Sequence, residues 1–274
     1  MEWTGGHTAA WLIMKGNKQM NTNRQADTLV TSPRKLAIAV GVCYLITHVT
    51  SVGAAILYSP MLNNARYITG ADSDTPVLLG AFLEVILALA IVGTAVALFP
   101  VVKRQNEAVT MGYVGLRTLE AGIIAVGVVP LLAVVTLRQQ MAGTAGTDPA
   151  TLITLGNALV AFHNWTVLLG PGLVCGTNTV LLAYLLYRSR LVPRFIPVLG
   201  LVGGPLVFAY NAAQMFGISA QIASWAVIGV IPIFAWEVSL AIRLIVKGFK
   251  PSAIASEPTT TTTAELLSAA SSAG

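Results

Sequence analysis

The chain has 274 residues, 55% hydrophobic and only 10% charged, with a mean hydropathy of +0.75, a balance that excludes an ordinary soluble domain. Its net charge is +5, yet no basic stripe or aromatic-interleaved basic patch lies outside the apolar runs, so nucleic acid is not an expected partner. Cys43 and Cys175 lie singly in apolar stretches, with no CxxC pair or His at ligand spacing; they read as small core residues, and neither a metal nor a cofactor is expected.

Residues 1–31 are mostly polar, and their apolar piece, Ala9 to Met14, is too short for a secretory signal. They are expected to form a flexible cytoplasmic segment. Residues 1–19 have an alternative reading as untranslated, with synthesis starting at Met20, because Lys-Gly codons upstream can spell a purine-rich ribosome-binding site.

Six apolar stretches follow, near 36–58, 77–99, 115–136, 155–187, 195–216 and 220–246. Each is long enough to cross about 30 Å of hydrocarbon, which takes roughly 20 helical residues. The fourth is interrupted by Gly170, Pro171 and Gly172 and should be tilted, kinked or preceded by an interfacial turn. Residues 251–274 are a threonine run flanked by Pro, Ser and Ala, expected as a disordered cytoplasmic tail.

Lysine and arginine set the orientation. Lys15, Lys18, Arg24, Arg34 and Lys35 precede the first span, Lys103 and Arg104 follow the second, Arg188, Arg190 and Arg194 follow the fourth, and Lys247 and Lys250 follow the sixth. The opposite loops hold only Arg66 and Arg138. The expected fold class is therefore all-α, an integral membrane bundle of six transmembrane helices over 32–250, with both termini cytoplasmic.

Counting helical rise from the span ends sorts the polar residues by depth. His48, Glu84, His163, Asn164 and Asn211 fall in the outer half, and His48 and Glu84 share a level. A His beside a buried carboxylate makes a proton-sensitive pair; the simpler reading is that these groups link helices by hydrogen bonds. Arg117, Glu120 and Glu237 form an inner ion network. Arg117 and Glu120, three apart, share a helical face and can pair, and Arg117 is near enough to the surface to snorkel. Glu237 and Arg243, six apart, do not share a face, so Glu237 is expected to reach across to Arg117. Such a network is a staple between the third and sixth spans, or a gate.

Gly172 and Gly176, and likewise Gly200 and Gly204, have the four-residue spacing that lets helix backbones approach. Pro171, Pro205 and Pro232 kink helices or free carbonyls for a ligand. Split into halves of three spans, the chain has a His in the first span of each (His48, His163) and a Glu in the third (Glu120, Glu237), as an inverted repeat would. No HExxH, G-x-S-x-G or phosphate-binding loop occurs. Ser51 beside His48 is the one conceivable nucleophile, with no identifiable oxyanion site.

The phrases "SPRKLAIAVGVCYLITHVTS", "GYVGLRTLEA", "SRLVPRFIPVLGLVGGPL" and "WEVSLAIRLIVKGFKP" resemble the bacterial membrane family catalogued as domain of unknown function 4386, over Ser32 to Pro251. The resemblance implies a multi-span protein of the bacterial plasma membrane and carries no catalytic residues with it. Three functions follow in order: a carrier of a small molecule or linked to protons; a structural or regulatory protein acting through a homo-oligomer or membrane-protein partner; and an intramembrane enzyme. Besides the lipid bilayer, the first predicts an internal polar cavity, the second a packed interior with a small-residue face on the fourth or fifth span, and the third a convergence of Ser, His and Glu.

Overall fold

Proline opens several of the helices. Pro33 begins α1 (Pro33–Leu62), Pro76 is the second residue of α2 (Thr75–Val102), and Pro149 begins α4 (Pro149–Val167). In a first helical turn the missing N–H has no intrahelical acceptor to lose, and the fixed φ is already helical. Asp148 caps α4: its carboxylate accepts from the Thr151 hydroxyl and from the Ala150 and Thr151 amides. These bonds hold its carboxyl below the usual carboxylate range. The computed structural model describes residues 32–141, 148–218 and 225–250; the expectations for 1–31 and 251–274 lie outside the described residues.

Between α1 and α2 lies a short 3-10 turn, Tyr67–Thr69, and α3 spans Glu107–Met141. After α4 the helix continues through a π-helical segment, Leu168–Val174, into α5 (Cys175–Ser189), followed by α6 (Phe195–Met215) and α7 (Trp225–Lys247). The π segment contains the predicted interruption: Pro171 removes a donor, and the Cys175 amide reaches back five residues to the Gly170 carbonyl. The fourth span is thus one continuous helix with a local change of pitch.

Five described helices are long and apolar enough to cross a membrane: α1, α2, α3 as far as Gln140, the composite Pro149–Ser189, and α6. The sixth expected span coincides with α7 from Trp225; residues 219–224 lie outside the described residues. Large apolar side chains face outward, with Val49 72%, Leu89 68% and Val96 65% exposed, the inverse of a soluble bundle.

Each helix of the bundle packs on its neighbours. α1 lies between α2 and α7, α3 packs on α2, α4 and α5, and α6 bridges α5 and α7. Glycine permits the closest crossings. A Cβ on Gly176 would sit 2.8 Å from the Gly204 carbonyl oxygen, and one on Gly41 2.7 Å from that of Ala241. The expected small-residue spacing is therefore used inside the bundle.

Two large apolar cores form, separated along the helices. One, around Tyr44, Leu98, Leu182, Trp236 and Leu240, lies toward the end where α1 begins and α7 ends. The other, around Tyr58, Met61, Tyr67, Leu131 and Val134, lies at the opposite end. The 41 residues of Pro149–Ser189 extend about 60 Å, twice the hydrocarbon thickness, so α4 and the end of α3 rise past α6. Arg138 ties this extension down. It pairs with Asp74, donates to the Gly70 and Asp72 carbonyls at 2.9 and 2.7 Å, and lies over the Tyr67 ring. Burial pushes the Tyr67 phenol up against the opposing influence of the Arg138 guanidinium.

Candidate functional site

A cavity of about 170 Å³ lies between the two large cores. α1 brings Thr47, His48 and Ser51 to it, and α3 brings Arg117, Glu120 and Ile124. Leu87 and Ile91 come from α2, Pro171 from the π segment, Cys175 from α5 and Glu237 from α7. Its charged groups therefore come from three helices distant in sequence, which no local pattern brings together.

Arg117 and Glu120 pair as their spacing predicts: Nη1 donates to Oε2 at 3.0 Å. Arg117 Nε also donates to the Thr94 hydroxyl at 3.3 Å, and the guanidinium lies over the Tyr44 ring. Asn178 Nδ2 donates to the same Glu120 oxygen at 2.7 Å. Arg117 is only 2% exposed; contrary to expectation it does not snorkel, because these partners hold it in the interior. Its Nη2, and Nη1 of Arg243, are buried without a hydrogen-bond partner among the described residues.

Glu237 faces the expected network and one further partner. Its Oε2 lies 3.5 Å from His48 Nε2, its direct ion contact among the described residues, and it lines the same cavity as Arg117, whose charge acts on it at longer range. The His48 ring is fixed by two further contacts: Nδ1 lies 2.9 Å from the Tyr44 carbonyl, and Phe234 meets the ring edge-on. A carbonyl only accepts, so Nδ1 carries the hydrogen. A neutral His48 then turns a lone pair toward Glu237, and the contact is favourable only when one proton is held between the two side chains, on either partner. The side chains of His48 and Glu237 are 17% and 12% exposed, against 3% and 4% for Arg117 and Glu120; the first pair is the more accessible, and all four side chains line the cavity.

The expected outer cluster divides into separate parts. Glu84 accepts from the Tyr58 hydroxyl at 3.1 Å, and the Tyr58 ring meets His163 edge-on. His163 Nδ1 lies 2.9 Å from the Gly127 carbonyl of α3. Asn164 and Asn211 line a different, open groove with Trp165 and Gln214, where Asn211 donates to the Val207 carbonyl and lies against Gly172. His48 belongs to none of these. The antiparallel register explains why: Cys43 meets Gly93, Gly53 meets Leu83 and Tyr58 meets Gly80, which levels His48 with the turn around Ala88, a turn deeper than Glu84. Span-end counting misses this offset because both helices outrun the apolar stretches.

A serine triad does not form. Ser51 Oγ donates to the His48 carbonyl at 3.2 Å, and both ring nitrogens of His48 are engaged by Tyr44 and Glu237. Cys175 is buried beside the cavity, and Cys43 is half-buried against Gly93. Sequence reasoning missed Asn178, Tyr44 and Tyr58. Asn178 was detectable as an amide in an apolar run; the tyrosines carry no such signal, since aromatic residues are ordinary in apolar helices.

Comparison with known proteins supplies a family and no activity. The family model described as Domain of unknown function (DUF4386) matches residues 39–248, and the chain belongs to that family. No curated protein and no solved structure matches it.

Proposed function

We propose that this chain is a proton-linked carrier of a small molecule in a bacterial plasma membrane, crossing it six times with both termini in the cytoplasm. The positive charge beside the ends of α1 and α7 and in alternate loops supports that orientation, and α7 supplies the sixth crossing.

One observation carries the reading: a titratable pair from α1 and α7, lining an internal cavity, lies between two apolar cores. Ionisable groups inside a bilayer mark pathways when they face a cavity and staples when they are sealed. Here the two roles meet at one cavity: Arg117–Glu120–Asn178 is the more deeply buried, structurally bonded part, and His48–Glu237 is the more accessible pair. The π segment contributes Pro171 to the cavity wall, and π insertions favour functional sites. A partner-binding role lacks its small-residue surface, because Gly176 and Gly204 face each other. An enzyme lacks a base free to activate Ser51.

The test is proton movement in liposomes containing the purified full chain and an internal pH dye, challenged with a panel of short-chain carboxylates, amines, amides and polyols. A solute-evoked proton flux that disappears in Glu237→Gln supports the carrier. A folded protein that moves protons with no member of the panel overturns it.

A further inference from the structure

The ligand chemistry of the cavity is written in the one donor it leaves unused. Arg117 makes bonds through Nε and Nη1 to Thr94 and Glu120, while Nη2 is buried with no partner among the described residues. A buried guanidinium N–H without an acceptor is costly, and in a cavity-lining residue it calls for an acceptor from outside the chain. The walls divide by polarity. Arg117, His48 and Glu237 share the lining with an apolar surface of Leu87, Ile91 and Ile124. Such a site suits a molecule with a compact acceptor head and a short apolar body.

Size and charge narrow the class. The volume of about 170 Å³ slightly exceeds the roughly 150 Å³ of an apolar cavity that holds benzene, so about six heavy atoms fit. Arg117 and Glu120 cancel, and the His48–Glu237 pair is neutral when it holds one proton. A carboxylate entering alone would make the site negative in a low-dielectric interior. A carboxylate entering with one proton keeps it neutral: His48 and Glu237 are then both protonated and balance the ligand. Glu120 repels the ligand little, because its Oε2 already accepts from Arg117 and Asn178.

Resting on the carrier reading above, we infer that the ligand is a short-chain monocarboxylate. Its carboxylate binds Arg117 Nη2, its body lies against Ile124 and Leu87, and the His48–Glu237 pair takes up one proton with it. Coupling is then a matter of electroneutrality: the loaded site, like the empty one, carries no net charge, so both can cross between conformations.

Pyruvate, with about six heavy atoms to match the cavity, is the probe. Equilibrium dialysis of labelled pyruvate against the full chain in nanodiscs measures binding, and a pH dye in weakly buffered medium counts protons. The expected result is saturable binding with about one proton taken up per pyruvate. Arg117→Gln weakens binding about 10- to 100-fold, as loss of a charge-assisted bond does. Because that variant also disturbs a buried pair, Ile124→Phe is the second arm: it fills the apolar wall, leaves Arg117–Glu120 intact and lowers affinity at least about tenfold by exclusion. Absent pyruvate binding, or tighter binding of methylammonium or propionamide, overturns the monocarboxylate while the liposome panel judges the carrier separately. Pyruvate binding without proton uptake overturns the coupling.

Discussion

His48 on α1 meets Glu237 on α7, so the first and last described helices share one titratable contact. Its tautomer is set from within α1, where the Tyr44 carbonyl takes the Nδ1 hydrogen. If the pair holds one proton jointly, removing either side chain removes the same function. His48→Ala and Glu237→Gln should each reduce solute-coupled proton flux at least about tenfold, and the double variant should be no worse than either single one, since residues acting as a unit are non-additive. Independent, multiplicative losses in the liposome assay would show that the two side chains act apart.

Arg117 and Glu120 are predicted to govern stability first. Arg117→Ala leaves Glu120 buried without its cation and should cost about 3–5 kcal/mol. Asn178→Ala, which removes one bond to the same oxygen, should cost about 1–3 kcal/mol. Replacing both charges at once, Arg117→Met with Glu120→Leu, should recover most of the loss, because neither charge is left unpaired. Thermal unfolding in detergent checks the series; a double variant as unstable as Arg117→Ala would contradict the pairing.

Gly127 is predicted to tolerate no side chain. A Cβ there would lie 2.2 Å from Thr166 Oγ1 and 3.7 Å from His163 Nδ1, so Gly127→Ala must push α4 from α3. The expected cost is about 1–3 kcal/mol, typical of overpacking. Thr166→Ala removes the obstructing hydroxyl and should restore part of the stability when combined with Gly127→Ala, as measured by the unfolding midpoints of the three variants.

The sequence carried the helices more legibly than their rotations. Apolar runs and charged loops located the described helices, the Gly170–Gly172 interruption marked the π segment, and the i, i+3 spacing of Arg117 and Glu120 foretold their pair. The cavity was not legible, because its composition depends on which face of each helix turns inward and on the register between helices. Glu84 and His48 looked level by counting. The packing of Tyr58 on Gly80 separates them, and Tyr58, ten residues or about 15 Å along α1 from His48, takes Glu84 instead. Glu237 was given a depth and Arg117 as its partner; its direct contact with His48 was not foreseen, since it follows from the close approach of α1 and α7, as at Gly41.

The first and last described helices are joined by Arg34, which donates to the Leu244, Ile245 and Val246 carbonyls at 3.1, 2.6 and 3.3 Å. A cation on the last carbonyls of a helix satisfies orphan acceptors and complements the dipole. Arg34→Ala should cost about 1–2 kcal/mol and speed hydrogen exchange in the last turn of α7. Gly248, at φ 67°, ends that turn. Gly248→Ala should cost about 1 kcal/mol for the left-handed backbone, with its new Cβ 3.3 Å from Arg34 Nη1.

Asp148 gives the start of α4 a defined pH dependence. Its carboxyl is held below the usual range by the Thr151 hydroxyl and two backbone amides, so the folded state binds its proton less readily than the unfolded chain. The linkage sign follows: the cap contributes fully above the unfolded value of about 3.9 and is lost as pH falls through the lower folded value. Amide exchange at Ala150 and Thr151 should therefore accelerate in acid, after correction for intrinsic rates. Asp148→Asn keeps an N-cap acceptor without a titrating carboxyl and should abolish the pH dependence while retaining protection. Equal acid sensitivity in both proteins would mean that the fraying of α4 begins elsewhere than at this cap.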